Sequence, residues 1–542
     1  MIQDEPKKEI TVDVNKDKDA ETHPVSTDNV QSHNKPKYEM KKAQLLLVFV
    51  GLSLAILSAA LDQIIISTTL PAIALEFRSL DEIAWIGTAY LLAATAFQPT
   101  YGKLSDVFGR KPIFLMTICL LELGLLLCGL SINLTMLIIS RVIVGLGGGG
   151  IIALAQIIIT EIVSINERGK YQGTIGACWG IASIAGPLLG GALTDKFSWR
   201  WAFFVNLPIG AIAFISIFFL LHIPNPTGSI WAKFKFIDWW GTFTLVVSTV
   251  LLLLSLNWGG SKYAWNNPII IILLCFGGIG YIIFALVEWK VAKDPLAPGR
   301  LFKNPKTAAY FGLNFFNGMA LFSLMYFIPL YFQVVKSESA TTSGLELIPY
   351  MLGVVSAYIF SGQLISRTTY FSYGLICAFG SILMTVGGGL IGTFSLNTSE
   401  GEIIGYSLIT GIGIGLIMQT TILAGQGVVE YRDMAVVTSL LQFYESMGTV
   451  FGVAILGTVF NNVFNSNLPP QFKGKISLHD FDSSTLGQIP DVIVQTFVLA
   501  FDVAFKVVIG MGSFAFILSL FMIKVKPHRD DPKKSESPLA LD

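Results

Sequence analysis

Gly102-Lys103-Leu104-Ser105-Asp106-Val107-Phe108-Gly109-Arg110-Lys111 is a compact run of charge between two apolar stretches, 83–102 and 112–131. Each stretch is about as long as the ~20 residues that cross a bilayer as a helix. The chain must turn at once between them. Glycine at 102 and 109 permits close backbone approach and a positive φ. Asp106 stands four residues before Arg110, within reach of a local ion pair or of a neighbouring helix end. Charge contacts that exist in one packing of two bundles and break in the other bias a two-state element. The plainer reading is a solvated anchor of positive charge at a membrane face. Gly102, Asp106, Gly109, Arg110 and Lys111 are therefore candidates for a conformational latch.

Outward from this turn the whole chain reads the same way. Of 542 residues, 53% are hydrophobic and only 13% are charged, and the mean hydropathy is +0.65. A soluble domain carries about 25% charged residues, so much of this surface faces something other than water. Uncharged runs such as 45–61 and 269–287 are too long and too uniform for amphipathic soluble helices. About fourteen spans are expected, at 43–68, 83–102, 112–131, 134–158, 171–193, 202–221, 239–257, 268–288, 308–333, 344–366, 372–394, 402–424, 436–460 and 502–523. Polar, proline-containing ends cannot offset the entropy of ordering, so 1–42 and 525–542 are read as disordered tails. Between them stand a first six-helix bundle (43–222), a linker with two extra helices (223–305), and a second bundle (306–524) with a long outer loop near 461–501. The first apolar run is too long for a cleavable signal.

An even number of spans places both termini on one face. Lys103, Arg110, Lys111, Arg168, Lys170, Lys233, Lys235, Lys290, Lys293, Arg300, Lys303, Lys306, Arg367 and Arg432 gather there. Arg78, Lys196, Arg200, Lys262 and Lys336 fall opposite. The positive-inside rule makes both termini cytoplasmic. Asn397, and less favourably Asn133 in a very short loop, are glycosylation sequons. The five cysteines lie in apolar runs without zinc-site spacing and are read as small buried hydrophobes. Zero net charge offers no argument for nucleic acid. No GxxxxGK[ST] phosphate loop is present, which disfavours an ATP-driven pump. The histidines (His23, His33, His222, His479, His528) cluster with no nucleophile or metal ligand, so an enzyme is a distant reading.

The two halves echo each other. GKLSDVFGR from Gly102 is matched by GQLISR from Gly362, and GLGGGG from Gly145 by GIGIG from Gly411. The glycine-rich fifth span is matched by MGTVFGVAILG from Met447. Weak parallel repeats of six spans, with substrate near the midplane between halves, are a transporter signature. Spans one to six then pair with nine to fourteen, and spans seven and eight are an insertion.

Four further segments carry a family resemblance: Arg141-Val142-Ile143-Val144-Gly145-Leu146-Gly147-Gly148-Gly149, Gly186-Pro187-Leu188-Leu189-Gly190-Gly191, Leu61-Asp62-Gln63 running to Leu70-Pro71, and WRWAFFVNLPIG from Trp199 to Gly210. With the 102–111 turn, they resemble the major facilitator superfamily, and within it the fungal-type fourteen-span drug:proton antiporters, over nearly all of 43–524. The resemblance implies an all-α polytopic membrane protein of two six-helix bundles plus two inserted helices. It also implies proton transfer involving Arg141, and a span-five bend at Pro187 that seals one side of the substrate path and marks exporters. The sequence departs from the family pattern at Ala182 (usually glycine), at Ile64 to Ile66 (usually threonine and valine) and at Glu445, where many relatives would have arginine.

The residues themselves point the same way. A charge at mid-membrane costs roughly 2.5–3.5 kcal/mol on insertion scales, so Asp62, well inside span one, is expected to face a cavity or a partner. Binding and releasing a proton suits such a carboxylate, and a structural hydrogen-bonding role is the alternative. Arg141 is either its partner or an interfacial anchor. Glu122 and Glu445 are the other carboxylates within apolar runs, set either in the central cavity or in pairs inside one bundle. Gly145, Gly147, Gly186, Gly190 and Gly191 allow close helix packing, and Pro187 removes a backbone hydrogen bond. Glu161, Glu288 and Asp238 are read as solvated helix ends, as are Glu346 and Lys506 on the outer side. Tyr326, Phe327, Tyr331 and Phe332 are weaker candidates for an apolar cavity wall, and Gln156, Asn314, Asn317, Gln419, Gln426 and Gln442 for polar ones.

The expected function is proton-coupled export of small hydrophobic or cationic compounds across the plasma membrane, by a monomer with no cofactor or metal beyond the proton gradient. Vacuolar antiport of basic amino acids is the alternative, and a non-transporting membrane sensor a distant one.

Overall fold

The computed structural model describes Tyr38 and residues 40–77, 84–224, 226, 237–260, 262–292, 294–368, 370–470 and 491–525. Most of the two expected tails, the basic residues Arg78, Lys233, Lys235 and Lys293, and the middle of the expected outer loop lie outside the described residues.

Among the described residues, fourteen long helices follow one another. The first six are α1 (Lys42–Phe77), α2 (Ala84–Phe108), α3 (Arg110–Gly129), α4 (Leu134–Ile162), α5 (Ile165–Lys196) and α6 (Asn206–Leu220), the last preceded by the short turn Trp201–Phe204. Then come α7 (Trp239–Trp258) and α8 (Pro268–Lys290). The remaining six are α9 (Pro305–Val335), α10 (Ile348–Arg367), α11 (Tyr373–Ile391), α12 (Glu400–Gly427), α13 (Met434–Asn467) and α14 (Asp491–Leu520). Side-chain caps hold several starts: Asn133 accepts from the Met136 amide, Asp238 from Gly241, and Ser399 forms a capping box with Glu402.

Among the described residues, thirteen helical segments are long and apolar enough to cross a membrane. The long helix missing from that set is α2. Its polar residues Thr88, Thr95, Gln98, Thr100 and Ser105 are buried, so protein rather than lipid surrounds them and α2 need not be apolar.

Buried apolar side chains form two large cores. One draws on residues 48–223 with Ala435 added, the other on 301–525. A smaller cluster joins α7 to α2 and α13 through Leu92, Leu245, Leu253, Phe443 and Met447. The inserted pair α7–α8 thus packs on the seam between the bundles.

The loop expected at 461–501 is corrected at both ends, because α13 runs on to Asn467 and α14 begins at Asp491. One face of 492–501 turns inward, with Ile493, Phe497, Ala500 and Phe501 buried, and that burial extends the helix. The cysteine reading also needs amending. Cys128, Cys178 and Cys377 are buried, but Cys119 and Cys275 lie on the outside of the bundle.

Candidate transport site

Glycine sets the positions of the charged residues. In α4, a Cβ at Gly147 would collide with the Leu121 backbone of α3, one at Gly145 with the Tyr90 carbonyl of α2, and one at Gly149 would sit 2.7 Å from the Ala94 carbonyl. The run 145–149 therefore seats α4 between α2 and α3. One turn earlier, this delivers Arg141 to Asp62 of α1. Arg141 Nη1 donates to both Asp62 carboxylate oxygens at 2.8 Å, and Nε donates to the Ile86 carbonyl at 3.1 Å. The guanidinium lies over the Tyr90 ring at 4.8 Å, and Gln63 Nε2 donates to the Tyr90 hydroxyl at 2.8 Å. Asp62 is 0% exposed and Arg141 1%. Charges so far from water persist only when paired and hydrogen-bonded.

Glu122 lies elsewhere. Its carboxylate on α3 occupies the space that a Cβ at Gly210 of α6 would take, within the first bundle. Glu122 Oε1 is enclosed without a hydrogen-bond partner among the described residues.

In the second bundle, Glu445 on α13 is 7% exposed and accepts from Gln442 Nε2 at 3.5 Å. Its backbone rests against Gly318 of α9, while Gly448 and Gly452 bring the next turns of α13 onto Phe315 and Met319. The Tyr358 phenol of α10 is within electrostatic reach of Glu445. Tyr358 Oη, both side-chain polar atoms of Asn317, and Gln419 Oε1 are buried without partners among the described residues. Asn314 is already engaged: it donates to the Leu441 carbonyl and accepts from Thr421.

The two bundles meet along α5 and α10. Gly169, Gly173, Gly176 and Gly180 form a stripe on α5 facing Gly362, Ile359, Tyr358 and Val355 of α10. Gln172 ties α5 to α12, donating to Gln426 at 3.1 Å and accepting from Gln419 at 3.2 Å. Gly102 lies against Ser439 and the Ala435 carbonyl of α13. Trp179 meets Phe322 edge-on at 6.5 Å, and Met325 of α9 packs on the cluster of Leu61, Ile64 and Ala182. Gly186 and Gly190 hold α5 to Ile64, Ile65 and Thr68 of α1; Pro187 lies within an unbroken α5, and Gly191 has open space around it.

Sequence reading singled out neither the α5 stripe nor Gln172 and Tyr90. The stripe had a signal, since glycines spaced three and four apart recur on one helix face.

The 102–111 turn is tied by ion pairs. Gly109 has φ 105°. Arg110 pairs with Asp106 at 2.5 Å and with Glu161 of α4 at 2.9 Å, and Lys111 donates to the Phe218 carbonyl at 2.6 Å. Glu161 is not the solvated helix end expected of it: it is buried because Arg110 reaches it. Lys103 pairs with Asp294 in the connector after α8, and further along Arg300 pairs with Asp433 just before α13. Glu288 is likewise drawn inward, accepting from the amides of Leu296 and Ala297 at 3.1 and 3.0 Å. Asp238 caps α7. Phe327, Tyr331 and Phe332 belong to the second core, whereas Tyr326 is exposed.

Comparison with known proteins agrees with this architecture. The sequence model of the Major Facilitator Superfamily matches residues 52–453. Among curated relatives, efflux pump dotC of Dothistroma septosporum is 38% identical over 423 residues, 78% of this chain and 73% of its own. The MFS-type efflux pump MFS1 of Trichophyton rubrum is 38% identical over 424 residues, 78% of this chain and 79% of its own. Efflux pump FUS6 of Gibberella fujikuroi is 32% identical over 523 residues, 93% of each chain. Two solved structures share the fold at 16% identity and a TM-score of 0.56. They are the human organic anion transporter MFSD10, covering 88% of this chain and 98% of its own, and an inward-facing, occupied bacterial homologue of the lysosomal transporter Spinster, covering 91% and 100%. Family match, relatives and fold converge, and the chain belongs to the Major Facilitator Superfamily.

Proposed function

We propose that the protein is a proton-coupled secondary transporter that exports small hydrophobic or cationic compounds by alternating access. The observation that carries the coupling is the buried ion pair of Asp62 with Arg141. A proton arriving at Asp62 removes the carboxylate charge and releases the guanidinium to other acceptors. An event of that kind shifts the equilibrium between two packings of the bundles. Relatives named as efflux pumps support the direction of transport. The contact of Gly169 with Gly362 supports a state closed on the face of the 102–111 turn, which the positive-inside rule makes cytoplasmic. On this reading α2 also crosses the membrane, fourteen spans in all, and the plasma membrane is the site of residence. Glu445, a carboxylate nearly buried in the second bundle, favours solutes carrying a positive charge.

The test is efflux of a cationic dye from energised cells expressing the wild type or Asp62→Asn at matched membrane levels. Loss of gradient-driven efflux in the variant is expected. Unchanged efflux with an unchanged response to external pH would remove Asp62 from the coupling mechanism.

A further inference from the structure

A cavity of about 570 Å3 lies where α8, α13 and the connector after α8 meet. Its walls include Tyr281 and Phe284 from α8 and Phe443 and Tyr444 from α13, and Arg300 and Lys303 line it from the connector. Glu288 lines it too, but both of its oxygens are taken by backbone amides of that connector. Arg300 and Lys303 are exposed. Arg300 shares its charge with Asp433, whereas Lys303 has no carboxylate partner among the described residues.

The position matters as much as the lining. Only 17% of the apolar window of α8 is buried within the protein, so this helix presents most of its surface to lipid. Trp289, next to Glu288 in the last turn of α8, is 79% exposed. Exposed tryptophan at the end of a span marks the level of lipid headgroups. The cavity therefore joins an apolar, aromatic interior to a cationic lining at the edge of the bilayer. Basic pockets between membrane helices at that level hold anionic headgroups.

We propose that this cavity is a binding site for one anionic phospholipid. The phosphate lies against Lys303 and Arg300, and an acyl chain runs along Tyr281, Phe284 and Phe443. A bound lipid would brace α8 against α13 and stiffen the connector between its ties to Lys103 and Asp433. The proposal rests on the chain being embedded in a bilayer and not on the direction of transport, and its test reads lipid retention without transport.

The full chain is purified in mild detergent and titrated with dioleoyl-phosphatidylserine or with dioleoyl-phosphatidylcholine. Bound lipid is counted by native mass spectrometry, and the thermal midpoint is followed in parallel. One retained phosphatidylserine and a raised midpoint are expected, with no matching effect of phosphatidylcholine. Lys303→Gln should weaken retention about five-fold, the worth of one basic side chain near an anionic headgroup, and Lys303→Glu should abolish it. Lys306→Glu, whose exposed lysine lies outside the cavity, is the matched charge change and should retain the lipid. Equal retention of the two lipids, full retention by Lys303→Glu, or equal loss in Lys306→Glu would each overturn the site.

Discussion

Gly169 of α5 and Gly362 of α10 bring the two bundles to backbone contact, so close that a Cβ at Gly362 would lie 2.5 Å from the Gly169 carbonyl oxygen. Neither position has room for a side chain without moving a whole helix. Gly169→Val or Gly362→Val is therefore expected to keep the bundles apart on this face while each bundle's own core survives. Efflux should fall at least about tenfold, and a cysteine introduced at Gln172, which is fully buried here, should react faster with a thiol reagent applied from that face. Wild-type efflux with a valine at Gly362 would show that this contact does not form in the working cycle.

The Asp62–Arg141 pair makes separable claims about stability and transport. Asp62→Asn alone leaves a guanidinium at 1% exposure without its counter-charge, and breaking a buried pair from one side costs about 3–5 kcal/mol. Replacing both residues, as Asp62→Asn with Arg141→Gln, removes the uncompensated charge. The single variant should thus lose thermal stability, and the double variant should regain most of it, yet both should fail to drive efflux with a proton gradient. A double variant that regained gradient-driven efflux would show that the pair is structural only.

Much of this was legible in the sequence because the physics is local. A bilayer demands runs of about 20 apolar residues, and the runs at 239–257 and 268–288 match α7 and α8 within a residue or two. The 102–111 turn and the Arg141 glycine run are contiguous motifs and could be read directly. The partner of Lys103 could not, because Asp294 lies 191 residues away in a connector. Glu161 looked like a solvated helix end for the same reason: only the folded chain brings Arg110, 51 residues distant, to its carboxylate. Glu122 was ambiguous because periodicity does not say which neighbour a helix face meets, and here it meets the notch at Gly210.

The Lys103–Asp294 and Arg300–Asp433 pairs tie one connector to both bundles. Asp294 and Arg300 are each about half exposed, and ion pairs of that kind contribute little to stability, about 0–1 kcal/mol. Their expected effect is on switching. Asp294→Lys should leave the thermal midpoint nearly unchanged but lower the rate of efflux several-fold, and adding Lys103→Asp should recover it by restoring the pair in reverse. A rate that stays low in the charge-swapped protein would exclude the pair as the cause.

Glu76 provides a pH-dependent tie near the end of α1, beyond its apolar segment. Arg200 donates to its carboxylate at 2.8 and 3.1 Å and the Trp199 indole at 2.6 Å. The Arg200 hydrogen bonds hold this carboxyl below its ordinary range. A lowered folded-state pKa contributes stability above the unfolded-state value, about 4.3, that is lost as pH falls through the folded-state value. The wild type should therefore lose more of its thermal midpoint than Glu76→Gln between about pH 5 and pH 3. The difference should be modest, because the carboxylate is partly exposed and solvent-screened.

Glu445 tests substrate charge. Its carboxylate is the acidic group that α13 contributes to a bundle in which Asn317 and Tyr358 are buried without partners among the described residues, and desolvated polar groups of this kind discriminate strongly between ligands that satisfy them and ligands that do not. Glu445→Gln keeps the shape and the hydrogen bond with Gln442 while removing the charge. Efflux of a monovalent organic cation should fall by about tenfold, whereas efflux of a neutral compound of similar size should change little, because only the cation loses a counter-charge. An equal fall for both compounds would assign Glu445 to the folding or switching of the second bundle. An unchanged rate for both would place the substrate path away from α13.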